Sequence, residues 1–134
     1  MPERVVFDTN IWISGLLWRG RPYQCLLLGR AKVVQAVYCQ AMVAELAQKL
    51  RQAFGFTDNR IQAVVYDLRR VSEHVEITGD LHVIADDPDD DKFVECALRG
   101  RALWIVSGDH HLLDLGEYEG IGILSAAEFV ARFD

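Results

Sequence analysis

The chain has 134 residues, 51% of them hydrophobic and 25% charged, and a formal net charge of −6. That length builds a core without disulfides or structural metal, and the composition is that of an ordinary soluble globular protein, so residues 1–134 are expected to form one domain. No apolar run approaches a membrane span, and the N-terminus reads straight into a strand without a charged leader or cleavage site; no membrane partner and a cytoplasmic location are expected.

Cys25, Cys39 and Cys96 are odd in number and lie in apolar segments, which argues for reduced, buried thiols rather than a disulfide framework. No cysteine pair has metal-ligand spacing, and His74, His82, His110 and His111 do not supply it. An acidic chain lacks the usual basic footprint of a nucleic-acid binder. Yet the acids are uneven: Asp86, Asp87, Asp89, Asp90 and Asp91 form one run, and the remainder is nearly balanced. The meaning of the charge therefore depends on what that run does.

In chain order, Arg4–Phe7 is a β-branched and aromatic strand ending at Asp8-Thr9-Asn10. Residues 11–17 open a short helix, the loop Arg19-Gly20-Arg21-Pro22 breaks it, and residues 23–30 are helical again. Lys32–Tyr38 is a strand. Gln40 to Phe54 carries Met42, Leu46 and Leu50 at helical spacing and stops near Gly55. Thr57-Asp58 starts a helix whose stripe is Ile61, Val64, Val65, Leu68 and Val71. A third strand is expected over 74–78, and Asp87-Pro88 opens a helix that buries Phe93, Val94, Ala97 and Leu98 and ends at Gly100. Strands over 102–106 and 121–124 follow, and Ser125 with Glu128 marks a capping box for a closing helix. Such alternation means βαβ units, a mostly parallel sheet and helices on both faces. Strand order is not readable from periodicity.

Two strands end in an acid, Asp8 and Asp109, and ligands of an open parallel sheet bind beyond the carboxyl ends of its strands. Either acid alone also reads as a helix cap. Glu45 borders the apolar arc of its helix, or pairs with Lys49 one turn on. Within the acidic run, a cap and the helix dipole explain one or two acids but not five, and so many like charges call for a cation. On a helical wheel Asp90 falls in the middle of the inward arc, Asp91 at its edge, and Asp89 outside. Asp90 is the preferred functional acid, with Asp91 and Asp87 in reserve. Asp8, Glu45, Asp90 and Asp109 together make an all-oxygen set suited to Mg²⁺ or Mn²⁺. Asn10 and Ser107 stand where they can orient Asp8 and Asp109, and Asn10 also reads as a helix cap. The loop Trp18-Arg19-Gly20-Arg21 offers stacking and charge to RNA, or is an ordinary turn with Trp18 on the core.

The strings V-V-F-D-T-N, A-E-L, D-P-D-D-D-K-F with L-R-G, and I-V-S-G-D-H-H-L-L occur in this order along the chain. In that order and spacing they resemble the PIN domain family, above all its toxin components of toxin–antitoxin pairs (VapC-like ribonucleases). The resemblance implies a three-layer α/β/α sandwich with a mostly parallel five-stranded sheet in order 3-2-1-4-5. It also implies Mg²⁺- or Mn²⁺-dependent cleavage of RNA by a metal-activated water, an antitoxin partner and a homodimer. The family's acids carry over onto Asp8, Glu45, Asp90 and Asp109, and Ser107 stands where the family usually has Thr. A dehalogenase-type phosphatase wants a second Asp where Asn10 stands, and a receiver domain wants paired acids after the first strand. The alternative of another class is a non-catalytic PIN-like module that binds protein or RNA.

Overall fold

Val5, Val6 and Phe7 are all buried, so the first strand is covered on both faces, as a run of consecutive apolar residues in a parallel sheet requires. The computed structural model describes residues 2–134. In chain order it contains β1 (Glu3–Phe7), α1 (Thr9–Leu17), α2 (Arg21–Arg30), β2 (Val34–Tyr38), α3 (Gln40–Phe54), α4 (Asp58–Val71) and β3 (Ser72–His74). A 3-10 turn (Pro88–Asp90) leads into α5 (Asp91–Arg99), followed by β4 (Trp104–Val106), α6 (His110–Leu115), β5 (Glu117–Tyr118), β6 (Ile121–Leu124) and α7 (Ala126–Ala131).

The sheet order is β3-β2-β1-β4-β6-β5, parallel throughout except for the last pair. This is the expected α/β sandwich with one addition. The five expected strands are β3, β2, β1, β4 and β6, and a two-residue β5 adds an antiparallel edge. Its hairpin turns through Glu119 and Gly120, both at positive φ (52° and 83°), the backbone of a two-residue primed turn. Glu-Gly is a weak form of that signal, and two residues show no periodicity.

Right-handed crossovers put the β1–β2 and β2–β3 connections on one face and the β3–β4 and β4–β6 connections on the other. The chain direction across the sheet therefore reverses between β1 and β4. Phe7 anchors this centre, meeting Trp12 of α1 and Phe129 of α7 edge-on at 6.1 and 6.0 Å. All three cysteines are free and buried, as expected. No helix of the described residues is long and apolar enough to cross a membrane.

Three elements depart from expectation. The third strand lies at 72–74 rather than 74–78, directly after α4. Its pairing with β2 ends at the Val75 N–H to Tyr38 carbonyl bond, because the Thr78 and Gly79 N–H groups donate to Glu95 instead. The helix expected from Pro88 to Gly100 is a 3-10 turn followed by α5, and Asp87 makes no side-chain cap. The helix α6 lacks a sequence stripe: among its six residues only Leu112 is buried.

Candidate functional site at the carboxyl edge of the sheet

The place where an open parallel sheet reverses direction leaves a crevice beyond the carboxyl ends of the two flanking strands. Here those strands are β1 and β4, and Asp8 and Asp109 follow them. The Asp8 N–H donates to the Val106 carbonyl at 3.1 Å, locking the end of β1 to β4. Asp8 is only 2% exposed. Its Oδ1 accepts the Ile11 N–H at 2.9 Å, so Asp8, not Asn10, caps α1. Its Oδ2 accepts from the Ser107 hydroxyl, and Ser107 Oγ in turn accepts the Asp109 N–H at 2.9 Å. One buried hydroxyl thus ties the two acids. Burial pushes the Asp8 carboxyl above its ordinary value, against these hydrogen bonds.

Asp90 closes the 3-10 turn and is 7% exposed. Its Oδ2 has no hydrogen-bond partner in the protein. Carboxylate oxygens of Asp87, Asp90 and Asp109 lie within 4.8 Å of one another. Burial first, then repulsion from Asp109 and Asp87, pushes the Asp90 pKa up to about 7. Asp8, Thr9, Asn10, Glu45, Asp87, Asp90 and Asp109 all line one cleft of about 160 Å³.

Glu45 reaches this cleft from α3, but in company. Lys92 Nζ stands 2.6 Å from its Oε2 and Lys49 Nζ 3.6 Å from its Oε1. Burial raises the Glu45 carboxyl, and the Lys92 ammonium, the Thr9 hydroxyl and the Lys49 charge together more than offset this, leaving it below its ordinary value. Lys49 also approaches Asn10 Oδ1 at 3.4 Å. Lys92 is the residue that sequence reasoning missed. It follows the acidic run directly and would project beside it on a helical wheel, but its pairing with Glu45 depends on how α5 meets α3.

Asp91 stands apart from the cleft. Its Oδ1 accepts the Val83 and Ile84 N–H groups at 3.0 and 2.8 Å, which holds the irregular segment 75–87 against α5. Four residues on, buried Glu95 does the same for Thr78 and Gly79. The acidic run thus divides between a cleft side, which takes in Asp89 against expectation as well as Asp87 and Asp90, and a scaffold side (Asp91). Trp18 is largely exposed, at the far end of α1 from Asp8.

The fold and this cleft define the class: a mostly parallel α/β protein with clustered carboxylates at its topological switch point. The chain belongs to the PIN domain family, whose sequence model matches residues 4–111. A search of curated proteins finds no match. Among solved structures, it resembles VapBC2 from Rickettsia felis, crystallised bound to a DNA fragment from their promoter. The TM-score there is 0.61 at 12% identity, over 90% of this chain and 96% of that one. It also resembles the PIN domain of RRP44 from T. brucei, with a TM-score of 0.52 at 14% identity, over 99% of this chain and 82% of that one.

Proposed function

We propose that this chain is a metal-dependent endoribonuclease, the toxin component of a toxin–antitoxin pair, acting in the cytoplasm. The observation that carries the reading is the unpartnered, buried Asp90 Oδ2 within a cluster of three carboxylates whose mutual repulsion Lys92 offsets only in part, so that Asp90 stays raised. Uncompensated buried acids cost stability, and a divalent cation is the usual remedy. An all-oxygen donor set without cysteine fits Mg²⁺ or Mn²⁺. Membership of the PIN domain family, whose members are in general nucleases, and the likeness to VapBC2 support the same direction.

Asp8, Asp90 and Asp109 would hold the ion, with Asp87 beside them and Glu45 at the cleft wall. When bound, the ion activates water and offsets the negative charge that builds on a phosphodiester. The chain's own residues do the rest. Ser107 fixes the spacing of Asp8 and Asp109, while Lys92 and Lys49 set two positive charges beside the acids, where an anionic backbone can approach. A second cleft of about 500 Å³ adjoins the first at Glu45 and Asp89 and gives a polynucleotide a path across α3.

The purified chain should cleave an RNA pool with Mg²⁺ or Mn²⁺ and lose cleavage with a chelator. Asp8→Asn should cost more than about 100-fold, since even outer-shell partners of a metal ligand are worth 10- to 100-fold. Unchanged cleavage by that variant would sink the catalytic assignment, and no cleavage by the wild type with either ion would favour the binding-module alternative. The antitoxin part predicts a short neighbouring reading frame whose product binds this chain. A homodimer is proposed from the resemblance, and light scattering on the purified chain decides it.

A further inference from the structure

Asp109, His110 and His111 follow one another after β4, and only the first belongs to the carboxylate cleft. Successive residues of a helix point about 100° apart and do not ordinarily face each other. These two imidazoles nevertheless lie side by side, ring centroids 4.0 Å apart. Asp109 precedes them as the N-cap of α6, its Oδ1 accepting the His111 backbone N–H at 2.8 Å. One carboxylate oxygen of Asp109 and one nitrogen from each ring lie within 4.8 Å of one another. Three ligands each about 2.1 Å from one tetrahedral ion stand about 3.4 Å apart. The donors therefore have to draw together by up to about an ångström, which a χ rotation of the exposed His110 ring supplies.

We propose that Asp109, His110 and His111 form a second divalent-cation site, chemically unlike the carboxylate centre next to it. Two imidazoles and one carboxylate select Zn²⁺ and other late first-row ions over Mg²⁺. Solvent access leaves room for water to complete the coordination. Asp109 belongs to both groups, so a Zn²⁺ ion on the imidazoles draws on charge that the carboxylate centre also uses, and Zn²⁺ antagonises Mn²⁺ binding there. That antagonism rests on the metal reading of the carboxylate cleft; the imidazole site does not.

Co²⁺ is the probe, titrated into the untagged full chain and followed by its visible absorption, with Zn²⁺ as competitor. The wild type should take up Co²⁺ with bands that Zn²⁺ abolishes. A double variant, His110→Gln with His111→Gln, should lose at least about tenfold in affinity, whereas Asp87→Asn should retain the signal. Equal Co²⁺ affinity in the double variant overturns the proposal, as does loss of the bands in Asp87→Asn alone. Mn²⁺ binding, followed separately by its spin-resonance signal, keeps the two sites distinguishable. If RNA cleavage proves absent while Co²⁺ still depends on the histidines, the nuclease reading fails and this site stands.

Discussion

Asp90 is the residue at which stability and the proposed function pull apart. Its carboxyl is buried, unpartnered through Oδ2 and raised to about 7 by burial and by the charges of Asp109 and Asp87. Replacing it with the neutral, nearly isosteric Asn should raise the melting temperature of the metal-free protein and at the same time abolish Mn²⁺ binding. Calorimetry on the wild type and Asp90→Asn with and without Mn²⁺ reads both effects, and a lowered melting temperature in the metal-free variant would mean that the acid is structural. Lys92 offers a complementary test. Removing its charge in Lys92→Met takes a cation away from Glu45 and from the carboxylates beyond it. Mn²⁺ affinity should rise about fivefold, the equivalent of ~1 kcal/mol for a charge at contact distance in a solvated setting. The KM for RNA should rise as well, because the same cation would face the proposed substrate path. Sequence reasoning placed Asp90 inward from helical geometry alone. It could not foresee Lys92, whose role depends on the approach of α5 to α3.

At the scale of elements, α5 holds the long irregular segment 75–87 through two carboxylates one turn apart, Asp91 and Glu95. Burial raises Glu95, but hydrogen bonds from the Thr78 backbone, Arg99, the Thr78 hydroxyl and the Gly79 N–H bring its pKa down to about 2. A carboxylate depressed in the folded state stabilises the protein above its unfolded value of 4.5, and that contribution disappears as the pH falls from there to about 2. Glu95→Gln should therefore cost about 1–3 kcal/mol at pH 7, from urea unfolding, and much less near pH 2. Amide exchange at Thr78 and Gly79 should quicken in the variant. The expected strand over 74–78 failed for this reason: the N–H groups that would extend the sheet are claimed by a side chain seventeen residues away. Nothing local in Ile77-Thr78-Gly79 announces that claim. The closing helix shows the opposite case, since Ser125 and Glu128 form the full capping box that their spacing implied.

For the whole molecule, the proposed metal and the pH would act on one balance. Asp90 ionises at 3.8 in the unfolded chain and near 7 in the fold, so the metal-free folded protein binds more protons between those values and loses stability as pH rises through that window. Asp8 is shifted in the same direction. On the proposed metal reading, Mg²⁺ or Mn²⁺ bound to the ionised cluster would offset the loss, and protons would compete with the ion at lower pH. The rise in melting temperature on adding Mg²⁺ should accordingly be larger at pH 8 than at pH 5.5. Equal shifts at the two values would place the ion away from the raised carboxyls.

The alternation of strands and helices, the acids at the ends of β1 and β4, and the inward turn of Asp90 are legible in the residues alone. Each of these rests on local periodicity, capping or chain order, which a single stretch of residues carries. Only the tertiary structure decided which acids meet. It drew Asp87 into the cleft, gave Asp91 to the backbone of residues 83 and 84, and joined Asp8 to Asp109 through Ser107. It also set Lys92 against Glu45. These contacts follow from strand order and from the packing angle of α5 on α3. Both are fixed by burial of the whole core, and no window of the sequence contains them.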